Sequence, residues 1–218
     1  MSVWAIVAAA GRGDRLGLDR PKAFAALRGR PLLAESLERL EATDWVDAIV
    51  VAAPEGWEEP AILLAEELGC GKVSSCVTGG STRADSVRLA LAEVPEDAAV
   101  VLVHDAARPL VTDEVVGRVL EPLGEGWDGG VPGLPLADTV KRVRDGAVVE
   151  TVARDDLVAV QTPQAFVTSV LRRASTGEAS DCAALVERAG GRVKVVPGDP
   201  RLLKVTEPSD LELVASWL

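Results

Sequence analysis

Short apolar runs recur along this chain with helical stripes between them, and that alternation constrains the fold more than any other feature. Val3 to Ala9 is continuously apolar and runs into Gly11. As a helix it would need burial on every side. Its length suits a strand inside a parallel sheet. Pro31 to Leu40 follows, with Leu32, Leu33, Ser36, Leu37 and Leu40 at helical spacing and a proline at the start. Asp47 to Ala53 reads as a second strand, Trp57 to Leu68 as a helix and Lys72 to Thr78 as a third strand. Ser81 or Thr82 can cap the next helix, whose buried stripe is Ala84, Val87, Ala90 and Leu91. Ala98 to Asp105 is a fourth strand, and Thr112 to Leu120 a helix with Thr112 at its cap. Strands and helices alternating in this way predict an α/β fold. Its sheet should be open and mostly parallel, with right-handed crossovers.

The alternation breaks at Gly129. Asp145-Gly146 lies between two β-rich runs, which signals a hairpin, so Asp138 to Val152 is expected to form a two-stranded arm. A lone hairpin is marginal in water and should lean on something, such as a second subunit. From Phe166 the helical pattern returns. Glu178 to Ala189 is expected as a helix, Arg192 to Val196 as a strand and Pro208 to Leu218 as a terminal helix opened by proline. No internal repeat or low-complexity linker interrupts the chain. Its 218 residues read as one domain, 1–218, with an arm at about 136–154.

Charge narrows the function. The net charge is -11, and the basic residues are dispersed, several of them in glycine- or threonine-rich turns. Dispersed basic residues argue against a nucleic-acid surface, which needs many phosphate contacts. With no Tyr and two Phe, base-stacking platforms are lacking as well. Three cysteines, Cys70, Cys76 and Cys182, and a single histidine, His104, argue against a protein-built zinc site. The first residues have no charged region ahead of a long apolar run. A soluble cytoplasmic protein without a membrane partner is expected.

Gly11, Gly13 and Gly17 follow the first strand, with Arg15 and Lys22 in the same loop. The spacing is neither the dinucleotide G-x-G-x-x-G nor a Walker loop. Glycines can still turn backbone N–H groups toward phosphate oxygens, with the two cations adding mobile charge. The alternative is a surface loop of solvated charges. A position at a strand end of an open α/β sheet favours the ligand. His104 and Asp105 end the fourth strand at the same edge. Asp105 suits Mg²⁺, which takes one or two carboxylates plus substrate phosphates. Arg108 can hold a second phosphate, or else pair with Asp105. His104 is read as orienting Asp105 by a hydrogen bond. Backbone at Gly79 and Gly80 could read a flat base, with Ser81 or Ser86 supplying a hydroxyl. Arg83 either serves there or pairs with Asp85 or another acid. On the arm, Thr139, Lys141, Arg142 and Arg154 could simply guard an edge hairpin. Lys204 would sit at a strand end if its segment pairs in parallel.

In order, "AAAGRGDRLGLDRPK", "GGSTRADSV", "VLVHDAARP", "ADTVKRV", "TPQAF" and "LLKVTEPSDL" resemble the motifs of the 2-C-methyl-D-erythritol 4-phosphate cytidylyltransferase family. The resemblance runs from about residue 3 to the C-terminus. It implies a Rossmann-like, three-layered sheet of the nucleotide-diphospho-sugar transferase type with a projecting β-hairpin arm. It implies transfer of a cytidylyl group from CTP to 2-C-methyl-D-erythritol 4-phosphate, with pyrophosphate released and Mg²⁺ as cofactor. Arg15 and Lys22 match the catalytic cations. Ala9, Ala10, Gly11 and Gly13 match the triphosphate loop, while Gly79, Gly80, Ser81, Ser86 and Ala106 match the rest of the CTP site. Asp105 matches the magnesium acid and also lies on the acceptor side. Arg108, Thr139, Arg154, Ser180 and Lys204 match positions around the acceptor phosphate. In relatives the arm reaches across a homodimer into the partner's site. A sister enzyme for another polyol phosphate, such as ribitol 5-phosphate, or a nucleotide-binding protein without catalysis, are the alternatives.

There are departures from the family pattern. Ala8 stands where many members have Pro, and Ala23 where Gln is usual after Lys22. Ser81 replaces an acid of some relatives. Ser180-Asp181-Cys182 replaces Thr-Asp followed by a second acid.

Overall fold

The computed structural model describes residues 2–175 and 179–218. The first half contains strand β1 (Val3–Ala8), the short pair β2 (Ala26–Leu27) and β3 (Arg30–Pro31), helix α1 (Leu32–Ala42), β4 (Ala48–Ala53), α2 (Glu58–Glu67), β5 (Val73–Thr78), α3 (Arg83–Glu93) and β6 (Val100–Asp105). The second half contains α4 (Asp113–Gly124), β7 (Gly129–Pro135), β8 (Val140–Arg144), β9 (Ala147–Val152), β10 (Val158–Val160), β11 (Gln164–Val167), α5 (Thr168–Ala174), α6 (Cys182–Arg188), β12 (Val193–Pro197) and α7 (Pro208–Ser216). Single 3₁₀ turns at Asp14–Leu16 and Lys22–Phe24 interrupt the loop after β1.

Among the described residues, eight strands form one sheet in the order β10-β7-β11-β6-β1-β4-β5, with β12 paired to β7. β1 runs parallel to both β4 and β6, and β4 runs parallel to β5. Register brings Ala8 level with Ala52 and Asp105, and Ala53 level with Thr78. Four strands therefore end along one carboxyl edge, where ligands of open α/β sheets bind.

Alternating side chains divide the core between the two faces of this sheet. Ala5, Val7, Ile49, Val51 and Leu102 pack with α1, α2 and α4. Ile6, Val50, Ala52, Val101 and Val103 pack with α3, α5 and α6. Helices cover both faces, which is why these strands are apolar throughout. The fold is the three-layered, Rossmann-like arrangement that the alternation implied. Thr82, Thr112 and Asp181 cap α3, α4 and α6, each accepting from a backbone N–H in the first turn. A third cluster, Leu16, Ala25, Leu27, Leu32, Leu110, Val205 and Val214, joins the glycine loop to the C-terminal segment.

Several elements depart from the sequence expectation. The glycine-rich stretch after Asp128 is strand β7, which takes β12 in parallel and β10 and β11 antiparallel. Its glycines make room. A Cβ at Gly130 would lie 2.3 Å from the Val119 carbonyl, and one at Gly129 2.6 Å from the Phe166 ring. Residues 202 to 206 form no strand, so the parallel pairing expected around Lys204 is not made. The expected helix at Glu178 to Ala189 is Cys182–Arg188, and Glu178 lies outside the described residues. Among the described residues β8 and β9 pair with each other only, through a turn in which Asp145 and Gly146 both take positive φ.

Candidate active site

A cleft of about 690 Å³ opens over the carboxyl edge. Ala9, Ala10, Gly11, Gly13, Arg15 and Lys22 line it from the loop after β1. Gly80, Ser81 and Ser86 line it from the start of α3, Asp105 and Ala106 from the end of β6, and Lys204 from the C-terminal segment. Arg12, Asp14, Ala107 and Thr206, to which the sequence motifs give no role, also line the cleft, as does the helix cap Thr82.

The glycine loop folds back on itself. Lys22 N–H donates to the Gly11 carbonyl at 3.2 Å. Gly13, at φ 75°, lies so close to Lys22 that a Cβ there would approach the Lys22 Cβ to 2.6 Å. Only glycine tolerates both the conformation and the contact. Leu16, buried in the third apolar cluster, pins the far side of the loop. Arg15 is exposed at the rim. Lys22 is half-buried, and burial first, then the Lys204 ammonium, push its pKa down to about 8. Cations held this close repel one another, so the site is set to receive an anion.

At the start of α3 the glycines serve close approach. A Cβ on Gly79 would lie 2.2 Å from that of Ala10, and one on Gly80 2.3 Å from that of Asp85. The Ser86 hydroxyl donates to the Thr82 carbonyl at 2.9 Å and accepts from Gly80 N–H at 3.1 Å. Ser81 donates to Asp85 at 2.9 Å. These two hydroxyls shape the slot from within.

Asp105 is the electrostatic hub. Its Oδ1 accepts from Arg83 Nε at 2.8 Å and its Oδ2 from Lys204 Nζ at 2.7 Å. Arg83 thus takes the neighbouring-acid reading, with Asp105 as the acid and not Asp85. Burial alone would raise the Asp105 pKa. The two cations outweigh it and hold the carboxyl well below the usual range. The reciprocal effect raises the Arg83 pKa against its own burial. Asp105 N–H donates to Thr162 Oγ1 at 3.0 Å, and Thr162 Oγ1 lies 3.3 Å from His104 Nδ1. His104 Nε2 sits 3.1 Å from the Arg108 carbonyl, which can only accept, so Nε2 carries the proton and Thr162 donates to Nδ1. His104 therefore orients Asp105 indirectly, through Thr162. Full burial lowers its pKa to about 4, which leaves the ring neutral.

Lys204 is placed without a strand. Leu202 and Val205 on either side are fully buried, and Val205 N–H donates to the Ala107 carbonyl at 2.8 Å. Truncating such a leucine to alanine costs about 2–5 kcal/mol, so these anchors fix the backbone firmly.

Five expected residues do not line this cleft. Gly79 lies just behind it, against Ala10. Arg108 donates from Nη1 to the Leu202 carbonyl at 2.5 Å, which ties the β6 end to the Lys204 segment. Thr139, Arg154 and Ser180 are exposed outside it. Arg154 donates to the Ala137 carbonyl, closing the base of the hairpin. Lys141 bonds Thr151, and Arg142 pairs with Glu150 at 2.7 Å across the strands.

Among the described residues, no three His, Cys, Asp or Glu side chains group closely enough to hold a metal ion. The carboxylates on the cleft are exposed Asp14 and buried Asp105, and both Asp105 oxygens already meet a cation. That donor set fits a magnesium ion carried on substrate phosphates, with Asp105 at most one ligand, and does not fit a resident protein-built centre. Among the described residues no helix is long and apolar enough to cross a membrane.

Residues 3–218 match the family model for 2-C-methyl-D-erythritol 4-phosphate cytidylyltransferase. A protein of that description from Saccharopolyspora erythraea is 48% identical over 225 residues, covering 100% of both chains. One from Frankia casuarinae is 47% identical over 220 residues, 99% of this chain and 81% of the relative. The crystal structure of 2-C-methyl-D-erythritol 4-phosphate cytidylyltransferase from Thermus thermophilus superposes with a TM-score of 0.79 at 34% identity, covering 100% of this chain and 98% of that one.

Proposed function

The chain belongs to the 2-C-methyl-D-erythritol 4-phosphate cytidylyltransferase family, and on that premise we propose how its own residues divide the work. The protein is a nucleotidyltransferase that moves a cytidylyl group from CTP to 2-C-methyl-D-erythritol 4-phosphate. An oxygen of the acceptor phosphate attacks the α-phosphorus in line. The bond to the β-phosphate breaks, and its electron pair leaves on pyrophosphate. The acceptor is already anionic at neutral pH, so no strong base is required. The obstacle is repulsion between two phosphates, which positioning and fixed positive charge relieve.

The observation that carries this reading is the gathering of Arg15, Lys22, Lys204 and Asp105 on one cleft at the carboxyl edge. Arg15 and Lys22 stabilise the α-phosphate and the leaving group, with backbone at Ala9, Ala10, Gly11 and Gly13 cradling the triphosphate. Gly80 and Ala106 flank the nucleoside, and Gly79, Ser81 and Ser86 hold that wall in shape. Lys204 and Asp105 face the acceptor. Asp105 would also be the protein ligand of Mg²⁺, which when bound neutralises phosphate charge. Arg108 fixes the Lys204 segment. Thr139 and Arg154 stand outside their own cleft, which supports their serving the acceptor site of a second copy in a homodimer. Ser180 belongs to the same acceptor set. CTP and a polyol phosphate are water-soluble anions, and the cytoplasm is where we place the enzyme.

The test is pyrophosphate release from CTP with either 2-C-methyl-D-erythritol 4-phosphate or ribitol 5-phosphate, with and without Mg²⁺. Release with the first acceptor and not the second, dependent on Mg²⁺, is expected. Equal release with both would contradict the acceptor assignment.

A further inference from the structure

We propose that Arg83 is a positioning residue of the acceptor side: it fixes the Asp105 carboxylate so that the far oxygen presents to Lys204. The inference rests on the placement of Asp105 and Lys204 in the acceptor site. Arg83 is the first residue of α3, and Thr82 already caps that helix. Local structure therefore does not require an arginine here. Its side chain turns inward and is mostly buried.

Each Asp105 oxygen is committed to a different cation. Oδ1 meets Arg83 Nε at 2.8 Å and Oδ2 meets Lys204 Nζ at 2.7 Å. Three separate segments meet at this one carboxylate: the start of α3, the end of β6 and the C-terminal coil. Arg83 and Asp105 are the rigid members, since one starts a helix, the other ends a central strand, and both are largely enclosed. The Lys204 side chain is 41% exposed and rides on coil, so it takes its position from what it binds. A carboxylate released at Oδ1 can rotate about its last torsion, and the ammonium would follow it.

The far end of Arg83 makes only weak contacts among the described residues. Among the described residues Nη1 reaches only the Cys182 sulfur, at 3.7 Å, and thiols are weak acceptors. Burial raises the Cys182 pKa, so the thiol supplies no counter-charge. Nη2 is buried with no hydrogen-bond partner among the described residues. Position 182 is where the family pattern has a second acid and this chain has cysteine. Among the described residues, Asp105 is thus the one carboxylate within ion-pair distance of Arg83, and none of the others divides the guanidinium's hold on it.

The test is a double-mutant cycle of Arg83→Gln and Asp105→Asn, read as kcat/KM for the acceptor phosphate. CTP affinity by calorimetry and melting temperature are followed alongside. Arg83→Gln is expected to lower kcat/KM for the acceptor by about tenfold or more in the parent and to have little further effect beside Asp105→Asn. CTP affinity should stay near the parent value. Losses that multiply across the cycle, or a fall in CTP affinity matching the fall in activity, would overturn the inference. Should Arg83→Gln not fold, Arg83→Lys replaces it, keeping the charge without the fork. It is expected to raise the acceptor KM while CTP affinity holds, and an unchanged acceptor KM would overturn the inference. A Lys204→Gln control separates the two levels. If that variant keeps the parental kcat/KM, the acceptor-site reading itself fails. If it loses activity while the cycle is additive, only the role of Arg83 fails.

Discussion

The cleft and the β8–β9 hairpin both carry cations, but they hold them in opposite ways. In the cleft, Lys22, Arg83 and Lys204 are partly or mostly buried around Asp105, and apolar anchors fix the backbone beside them. On the hairpin, Arg142 and Glu150 form an ion pair more than half exposed, of the kind worth about 0–1 kcal/mol. Arg154 closes the hairpin base onto the Ala137 carbonyl and faces solvent. Exposed Val143, Val148 and Val149 add apolar surface that no other described residue covers. The difference teaches that the cleft is preorganised within one chain, whereas the hairpin displays its residues outward. In the homodimer proposed above, a second copy's cleft is the surface on which the hairpin would close.

The largest effect expected is in the cleft. Lys22→Gln should lower kcat by about 100- to 1,000-fold, the usual cost of one preorganised transition-state contact, with the fold intact by circular dichroism. The same neutralisation on the hairpin, Lys141→Gln, should leave turnover within a few-fold of the parent. Turnover of Lys22→Gln close to the parent value would remove the contrast.

A smaller effect separates the regions by pH. The Lys22 pKa is lowered from 10.5 to about 8, so in the free protein its ammonium discharges as pH rises through 8. Bound phosphates favour the charged form and draw the proton back. CTP affinity should therefore fall above pH 8, and binding near pH 8 should take up a fraction of a proton. Calorimetry in two buffers of different ionisation enthalpy measures that uptake. Lys22→Met should abolish it, and Arg154→Gln should not.

The same contrast explains what the sequence reveals. The central strands are legible because burial on both faces leaves no polar residue in Val3–Ala8 or in Val100–Val103. The hairpin is legible because its turn demands positive φ, and Asp145-Gly146 announces it. β7 escapes notice because its glycines serve contacts with Val119 and Phe166 that only the fold brings near. The glycine loop, Lys22 and Asp105 can be picked out as residues that follow or end apolar strands. The bond of Arg83 to Asp105 spans 22 positions and that of Lys204 to Asp105 spans 99, so no local spacing predicts either. Lys204 further lacks the strand that would have marked it, because its place depends on Leu202 and Val205 sinking into two different apolar clusters.

Complementation between two defective variants tests the division of labour most directly. Lys22→Gln damages the chain's own cleft, and Arg154→Gln damages what the hairpin lends. Each homodimer alone should be nearly inactive. Mixed in equal amounts and allowed to exchange, they should recover about a quarter of the parental activity, because in each mixed dimer one of the two sites combines an intact cleft with an intact partner hairpin. Activity that stays at the level of the separate variants after exchange has been verified would show that Arg154 serves the cleft of its own chain, and would contradict the account.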